Sequence, residues 1–266
     1  MIHIRSPITS DKEKILAFCT DTFSWGDYIH EVYDSWMYEG QLIILEDNGE
    51  PIGMCHGIEY VDENILWIEG IRIRPDQRKK GFAANLVLYL ENKAKKHGIT
   101  NGSMLIESEN IPSLNLAKKL VYKIQAQWNY FSLESKKNSL IYQFDSINFD
   151  QLDRKDLRYV ESWRWIPITQ YNFDRLNSNN NILCVKNKGK VQSLGIITES
   201  ISFEDTIILT IVFGIFDDIQ NMILYVQNLS AKRNYSKIRI ITELNELPPI
   251  ENIGKKFPFY LVEKKF

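Results

Sequence analysis

Three cysteines in 266 residues, Cys19, Cys55 and Cys184, are too few and too scattered for a disulfide framework or a metal-ligand cluster. A reducing cytoplasm is the expected setting, and no metal is expected. No apolar run reaches the roughly 18 residues that a membrane helix needs. The opening residues, MIHIRSPITSDKEK, lack the apolar core of a secretion signal. Charge of one sign is missing too: 32 basic and 34 acidic side chains leave a net −2. Neither nucleic acid nor a membrane surface is therefore expected as the main partner. What is present, 44% hydrophobic and 25% charged residues, suits a globular chain that buries a full core. The length allows one large domain or two of about 100–200 residues each.

Periodicity orders the elements. Residues 2–5 alternate as a short strand, and Ser10 with Glu13 reads as a capping box opening a helix. A second helix is expected over 27–38. Then comes a hairpin of 41–46 and 51–59 about the turn Asn48-Gly49. A strand over 65–73 leads to a long amphipathic helix over 82–96, ending at Gly98. A strand over 103–108, a short helix over 113–120 and a closing strand over 126–133 follow.

The second half repeats the order: strands at 181–186, 191–198 and 206–213, a helix over 217–232, and a strand over 237–242. Leu88-Tyr89-Leu90 matches Leu224-Tyr225-Val226 at an offset of 136, and Ala117-Lys118-Lys119-Leu120 matches Gly254-Lys255-Lys256-Phe257 at 137. Agreement of the two offsets predicts a duplication, with domains at 1–145 and 146–266. The aromatic segment Glu161–Pro167 that links the halves is expected to pack rather than to reach a site.

Between strand and long helix lies Arg74-Pro75-Asp76-Gln77-Arg78-Lys79-Lys80-Gly81-Phe82-Ala83. A helix N-terminus offers unpaired backbone N–H groups and partial positive charge, which suit phosphate. Gly81 lets the backbone approach an anion, and three basic residues precede it. A solvated basic loop is the plain alternative. The spacing Arg78-x-x-Gly81-x-Ala83 after a strand resembles the pyrophosphate loop of the GNAT superfamily of acyl-CoA N-acyltransferases, Gln/Arg-x-x-Gly-x-Gly/Ala. Asn110-x-x-Ser113-x-x-Leu116-Ala117-x-Lys119-x-Val121-Tyr122 resembles that family's asparagine-led helix. Together the matches cover about 130 residues.

The resemblance implies an α/β (α+β) fold, here a tandem GNAT fold with a mixed central sheet flanked by helices in each half. It implies acetyl-CoA as acyl donor, with no metal. Backbone groups of Ile71, Arg72 and Ile73 would pair with the pantetheine arm. Those of Arg78, Lys79, Lys80, Gly81, Phe82 and Ala83 would hold the pyrophosphate, and Asn110 and Ser113 would stand beside the arm. Two departures stand out: Lys79 occupies a position where many members have glycine, and Ala117 one where many have a tyrosine that protonates the leaving thiolate.

Acyl transfer to an amine needs a proton acceptor. Glu69 lies on the strand before the loop, where GNAT enzymes often place a base. A period of two puts it on one face with Ile71 and Ile73. Pairing with Arg72 or a lysine is its alternative role. Glu107, Glu109 and His56 are further candidates. The family's acceptor wall falls on residues 23–36, where Trp25, Asp27 and Tyr28 would favour a cationic amine. In the second half the corresponding turn reads Phe213-Gly214-Ile215-Phe216-Asp217-Asp218, and two carboxylates at a helix start repel phosphate. That half is expected to bind no CoA; it could complete the acceptor cleft, form a homodimer face or stabilise the first half. The activity implied is N-acetylation of a primary amine of a small molecule or amino acid. Alternatives are acetylation of protein N-termini or lysines, and a non-catalytic acyl-CoA sensor.

Overall fold

The computed structural model describes residues 2–20, 22, 26–139, 142–154, 156–200 and 205–266. They form a mixed α/β fold in two compact units. The first comprises Met1–Ile106, Asn110–Gln125 and Leu261–Phe266; the second comprises Glu107–Glu109 and Ala126–Tyr260. The units do not follow a single cut at 145, because strands find partners at any sequence separation. Most of the strand Lys123–Glu134 (β6) belongs to the second unit, and most of the last strand, Phe259–Lys265 (labelled β14 in chain order), belongs to the first.

In the first unit the strands are β1 (Ile2–Arg5), β2 (Leu42–Asp47), β3 (Glu50–Tyr60), β4 (Ile65–Ile73) and β5 (Asn101–Glu107). With the last strand they run in the order β1-β2-β3-β4-β5-β14. Strands β1 to β4 are antiparallel, and β4 and β5 are parallel. The crossover between them is α3 (Phe82–Lys96), which buries Ala84, Val87, Leu90, Glu91 and Ala94 as a stripe of three- and four-residue steps. That stripe covers one face of the sheet, with Leu86 and Leu90 against Gly53 and Gly57. The other face carries α1 (Lys12–Leu16) and α2 (Ile29–Glu39). Their Ile15, Ile29, Val32, Tyr33 and Trp36 pack on Met54.

The helix α2 stops at Gly40, in the left-handed region at φ 76. The capping box expected at Ser10 and Glu13 does not form. Asp11 ends the preceding turn instead, because an ionised carboxylate facing Arg5 is the stronger acceptor. It takes two guanidinium hydrogen bonds, at 2.7 and 3.1 Å, and the Ile8 N–H at 2.7 Å.

The strands of the second unit are β6, then β9 (Ile182–Asn187), β10 (Lys190–Glu199), β11 (Thr206–Phe213) and β12 (Lys237–Thr242), in the order β6-β12-β11-β10-β9. Antiparallel β9-β10-β11, helix α6 (Phe216–Lys232) and parallel β12 repeat the succession β2-β3-β4-α3-β5. The aromatic segment is a hairpin of β7 (Arg158–Glu161) and β8 (Arg164–Pro167), followed by α5 (Gln170–Ser178); the two-residue β13 (Gly254–Lys255) pairs with β6. Within this unit Trp165 stacks edge-on to Trp128 at 5.9 Å, and Trp163 to Tyr130 at 5.4 Å.

Among the described residues no helix is long and apolar enough to cross a membrane, and no group of three or more His, Cys, Asp or Glu is placed to hold a metal. All three cysteines are buried and free. Burial pushes the Cys19 thiol up to about 12 and the Cys184 thiol up to about 11, so neither offers a thiolate.

Candidate active site

The strand β4 does not keep the period of two. Glu69 lies opposite His56 and Arg72 opposite Met54, so two residues, Gly70 and Ile71, face one, Cys55. This is a β-bulge with Gly70 in the left-handed conformation at φ +65. A side chain there would also strike the Trp36 ring, with a Cβ 2.3 Å from Cζ3. Cross-strand partners share a face. Glu69 and Arg72 therefore point to the α1–α2 side, and the expectation that Glu69 shares a face with Ile71 and Ile73 fails at the bulge.

The bulge also marks where β4 leaves its other neighbour. The parallel ladder with β5 runs only from Ile65↔Asn101 to Trp67↔Ser103. Beyond Trp67 the edge of β4 opens toward the loop, and an extended ligand can add there as a strand does. The carbonyls of Ile71 and Ile73 on this stretch accept from Arg72 Nη1 at 3.1 Å and Arg78 Nε at 3.0 Å.

After β4, Pro75–Gln77 make one tight turn and Lys79 turns left-handed at φ 64. Gly81, at φ +87, is the residue from which α3 starts. The first intrahelical bond runs from Asn85 N–H to Gly81 C=O at 3.2 Å, so the amides of Phe82, Ala83 and Ala84 have no acceptor inside the helix. No side chain caps them and no acid stands in the first turn. The space where a Gly81 side chain would project is open to 4 Å. Arg78, Lys79, Lys80 and Gly81 are exposed, and Phe82 and Ala83 are half-buried. This geometry fits an oxyanion held by backbone amides.

The start of α6 is built in the opposite sense. Its cap is Ile215, so Asp217 corresponds to Ala83 rather than to Gly81. Asp218 accepts from Ser193 Oγ at 2.6 Å and Gln192 Nε2 at 2.9 Å, filling the place with carboxylate.

Asn110 caps α4 (Ile111–Lys119), its Oδ1 accepting the Ser113 N–H at 3.2 Å. Ala117 is buried at 2% exposure, so no hydroxyl stands at that position. Tyr122 is a core residue whose hydroxyl donates to Glu91 at 2.9 Å. Lys264, from β14, completes that buried group, its Nζ 2.8 Å from Glu91 Oε2.

Glu69 is held on both oxygens, by His56 Nδ1 at 2.9 Å and by Trp67 Nε1 at 3.0 Å. Burial and then the charge of Glu109 push the Glu107 carboxyl up; both residues belong to the second unit. On the acceptor side, Trp25 lies outside the described residues. Asp27 and Arg72, expected to touch acceptor and cofactor, bind each other in a two-pronged pair at 2.7 and 2.9 Å. Thr22 Oγ1 and the Ile29 N–H also reach the Asp27 carboxylate. Tyr28 lies under the Arg72 guanidinium, 5.3 Å from it to ring centre, and edge-on to Trp36. Burial raises the Tyr28 hydroxyl above its ordinary value. The pairing was missed because its partners are 45 residues apart; the bulge had a local signal, a glycine inside a strand.

Comparison with known proteins bears on the fold and the family. L-2,4-diaminobutyric acid acetyltransferase of Virgibacillus pantothenticus is 29% identical over 89 residues, 32% of this chain and 56% of that protein. The chain thus spans little more than half the length of that relative. Two solved structures match over nearly the full chain, which shows the fold. A GCN5-related N-acetyltransferase of Sphaerobacter thermophilus has a TM-score of 0.66 at 12% identity, covering 99% of this chain and 95% of that one. A candidate acetyltransferase of Thermoplasma acidophilum has a TM-score of 0.65 at 14% identity, with both chains wholly covered. Residues 13–121 match the Acetyltransferase (GNAT) family, and this part of the chain is a GNAT acetyltransferase domain.

Proposed function

We propose that the protein transfers the acetyl group of acetyl-CoA to a primary amine of a small molecule or amino acid, with the CoA site in 1–145 and none in 146–266. The observation that carries the reading is the bare start of α3, left-handed at Gly81 and free of acids, next to the open edge of β4. The Virgibacillus relative, named for a small amino-acid substrate, supports the acceptor class.

Bound acetyl-CoA supplies an activated thioester. The amides of residues 78–83 hold its diphosphate, and the edge at Ile71–Ile73 aligns its extended arm. Glu69 takes a proton from the ammonium group so that a neutral amine can attack. The thiolate departs without a hydroxyl at Ala117, which its modest basicity allows.

Thiol release over a panel of small amines, amino acids and peptides tests the proposal, with calorimetry of acetyl-CoA alongside. Turnover confined to peptides would move the acceptor to protein N-termini or lysines. Binding without any turnover would favour an acyl-CoA sensor, a reading for which the buried Ala117 speaks. Glu69→Gln should lower kcat by about 10²–10⁴-fold with little change in acetyl-CoA affinity. Equal losses in both, or none in kcat, reject Glu69 as base.

A further inference from the structure

We propose that His56 is a positioning residue for Glu69 and couples it to Glu39 at the end of α2. The inference rests on Glu69 acting as base.

His56 stands directly across from Glu69 on β3 and is fully buried, at 0% exposure. An imidazole so placed must find polar partners, since burying it unpaired is costly. Its ring lies flat against Trp36, with centres 4.5 Å apart and planes 7° from parallel. The stack fixes the ring plane and so the directions of both nitrogens. Nδ1 meets Glu69 Oε1 at 2.9 Å, while Trp67 holds the other oxygen of the same carboxylate. Glu69 is thereby clamped in one rotamer by two buried donors, with its side chain 14% exposed.

The second nitrogen, Nε2, has Glu39 Oε2 3.2 Å away, at ion-pair distance but off the line of a hydrogen bond. Glu39 is the last residue of α2, with its side chain 31% exposed. Each ring nitrogen thus faces a carboxylate oxygen: a proton on Nδ1 is donated to Glu69, and Nε2 faces Glu39. A hydrogen bond donated to it favours the ionised form of Glu69, the form that accepts a proton. Elsewhere around the pair, Leu42 on β2 faces His56, and the Cys55 thiol and the Tyr28 hydroxyl interact with Glu69. The charge of Arg72 is met by Asp27. Glu39 thereby adjoins the ring that holds the base without touching the reacting atoms.

The test uses the full chain and three variants, His56→Gln, Glu39→Gln and Glu69→Gln. Thiol release is followed against pH at saturating acetyl-CoA. Side-chain carboxyl carbon NMR, with the Glu69 signal assigned by its loss in Glu69→Gln, reads the same coupling without substrate. In His56→Gln the acid limb of the rate profile and the Glu69 carboxyl midpoint should both move to higher pH, by about 1 unit. Glu39→Gln should move both in the same direction by less. A structural role alone would lower the melting temperature and move neither. Unchanged Glu69 titration in both variants overturns the proposal. If His56→Gln does not fold, Glu39→Gln at the partly exposed helix end decides the question by itself. Full turnover in Glu69→Gln would remove the base reading, while the carboxyl titration would still judge the coupling.

Discussion

Replacing Gly70 with alanine strains the site at its origin. Two costs add. The residue sits at φ +65, where an L side chain costs about 1–2 kcal/mol. The new methyl would lie 2.3 and 2.4 Å from two atoms of the Trp36 ring, which is itself buried. Overpacking of that kind costs about 1–3 kcal/mol, so the total is about 2–5 kcal/mol. Trp36 stacks on His56, so a shift of its ring loosens the clamp on Glu69 as well. Urea unfolding of the full chain measures the first effect, with the transition of the first unit fitted separately because two compact units need not melt together. The coupling is tested by a double-mutant cycle with Trp36→Leu, which removes the clashing ring. The loss in Gly70→Ala should be smaller in the Trp36→Leu background than in the native one. A loss below about 0.5 kcal/mol in the native background would show that the bulge tolerates a side chain and would refute the reasoning.

Lys264→Met leaves Glu91 buried without its cation and should cost the first unit about 3–5 kcal/mol, with most of it recovered by adding Glu91→Gln; equal stability of Lys264→Met and the native chain would contradict this. Asp27 titrates with a sign the structure dictates. Burial pushes its carboxyl up, but the hydrogen bonds and charge of Arg72 prevail and hold it below the usual value. Its contribution is therefore present above the unfolded pKa of about 3.9 and is lost as pH falls through the lower folded value. Asp27→Asn should be less stable than the native chain at pH 7, with the gap closing on acidification; a gap independent of pH would argue against the ion pair. Asp217→Asn together with Asp218→Asn should leave acetyl-CoA binding at one per chain, and a second equivalent in the native protein would show that α6 also holds the ligand.

Much of this architecture is legible in the sequence because its elements are long and regular. The expected strands 65–73, 206–213 and 237–242 and the helix 82–96 match the structure residue for residue. The turn before α3 is legible too, since a basic stretch, a glycine and a helix start are local features. What escaped is non-local or irregular. Alternation was carried through Gly70 as though the strand were straight, which put Glu69 on the wrong face. The partners of His56 are not legible in the sequence because both carboxylates that meet it come from other elements. The strand after α4 was assigned to the half in which it is encoded, whereas its partner β12 lies more than a hundred residues on. The Arg72–Asp27 pair joins side chains that stand 45 residues apart, so no local pattern announces it.

Calorimetric titration of acetyl-CoA into the native chain and into Gly81→Asp tests the central claim most directly. Nothing lies within 4 Å of a side chain at Gly81, so the aspartate should cost little beyond its backbone strain, about 1–2 kcal/mol. It would set a carboxylate in the proposed diphosphate site. The account predicts one site in the native chain and none in a variant that still melts cooperatively. Undiminished affinity in Gly81→Asp, or no heat from the native chain at millimolar ligand, would contradict it.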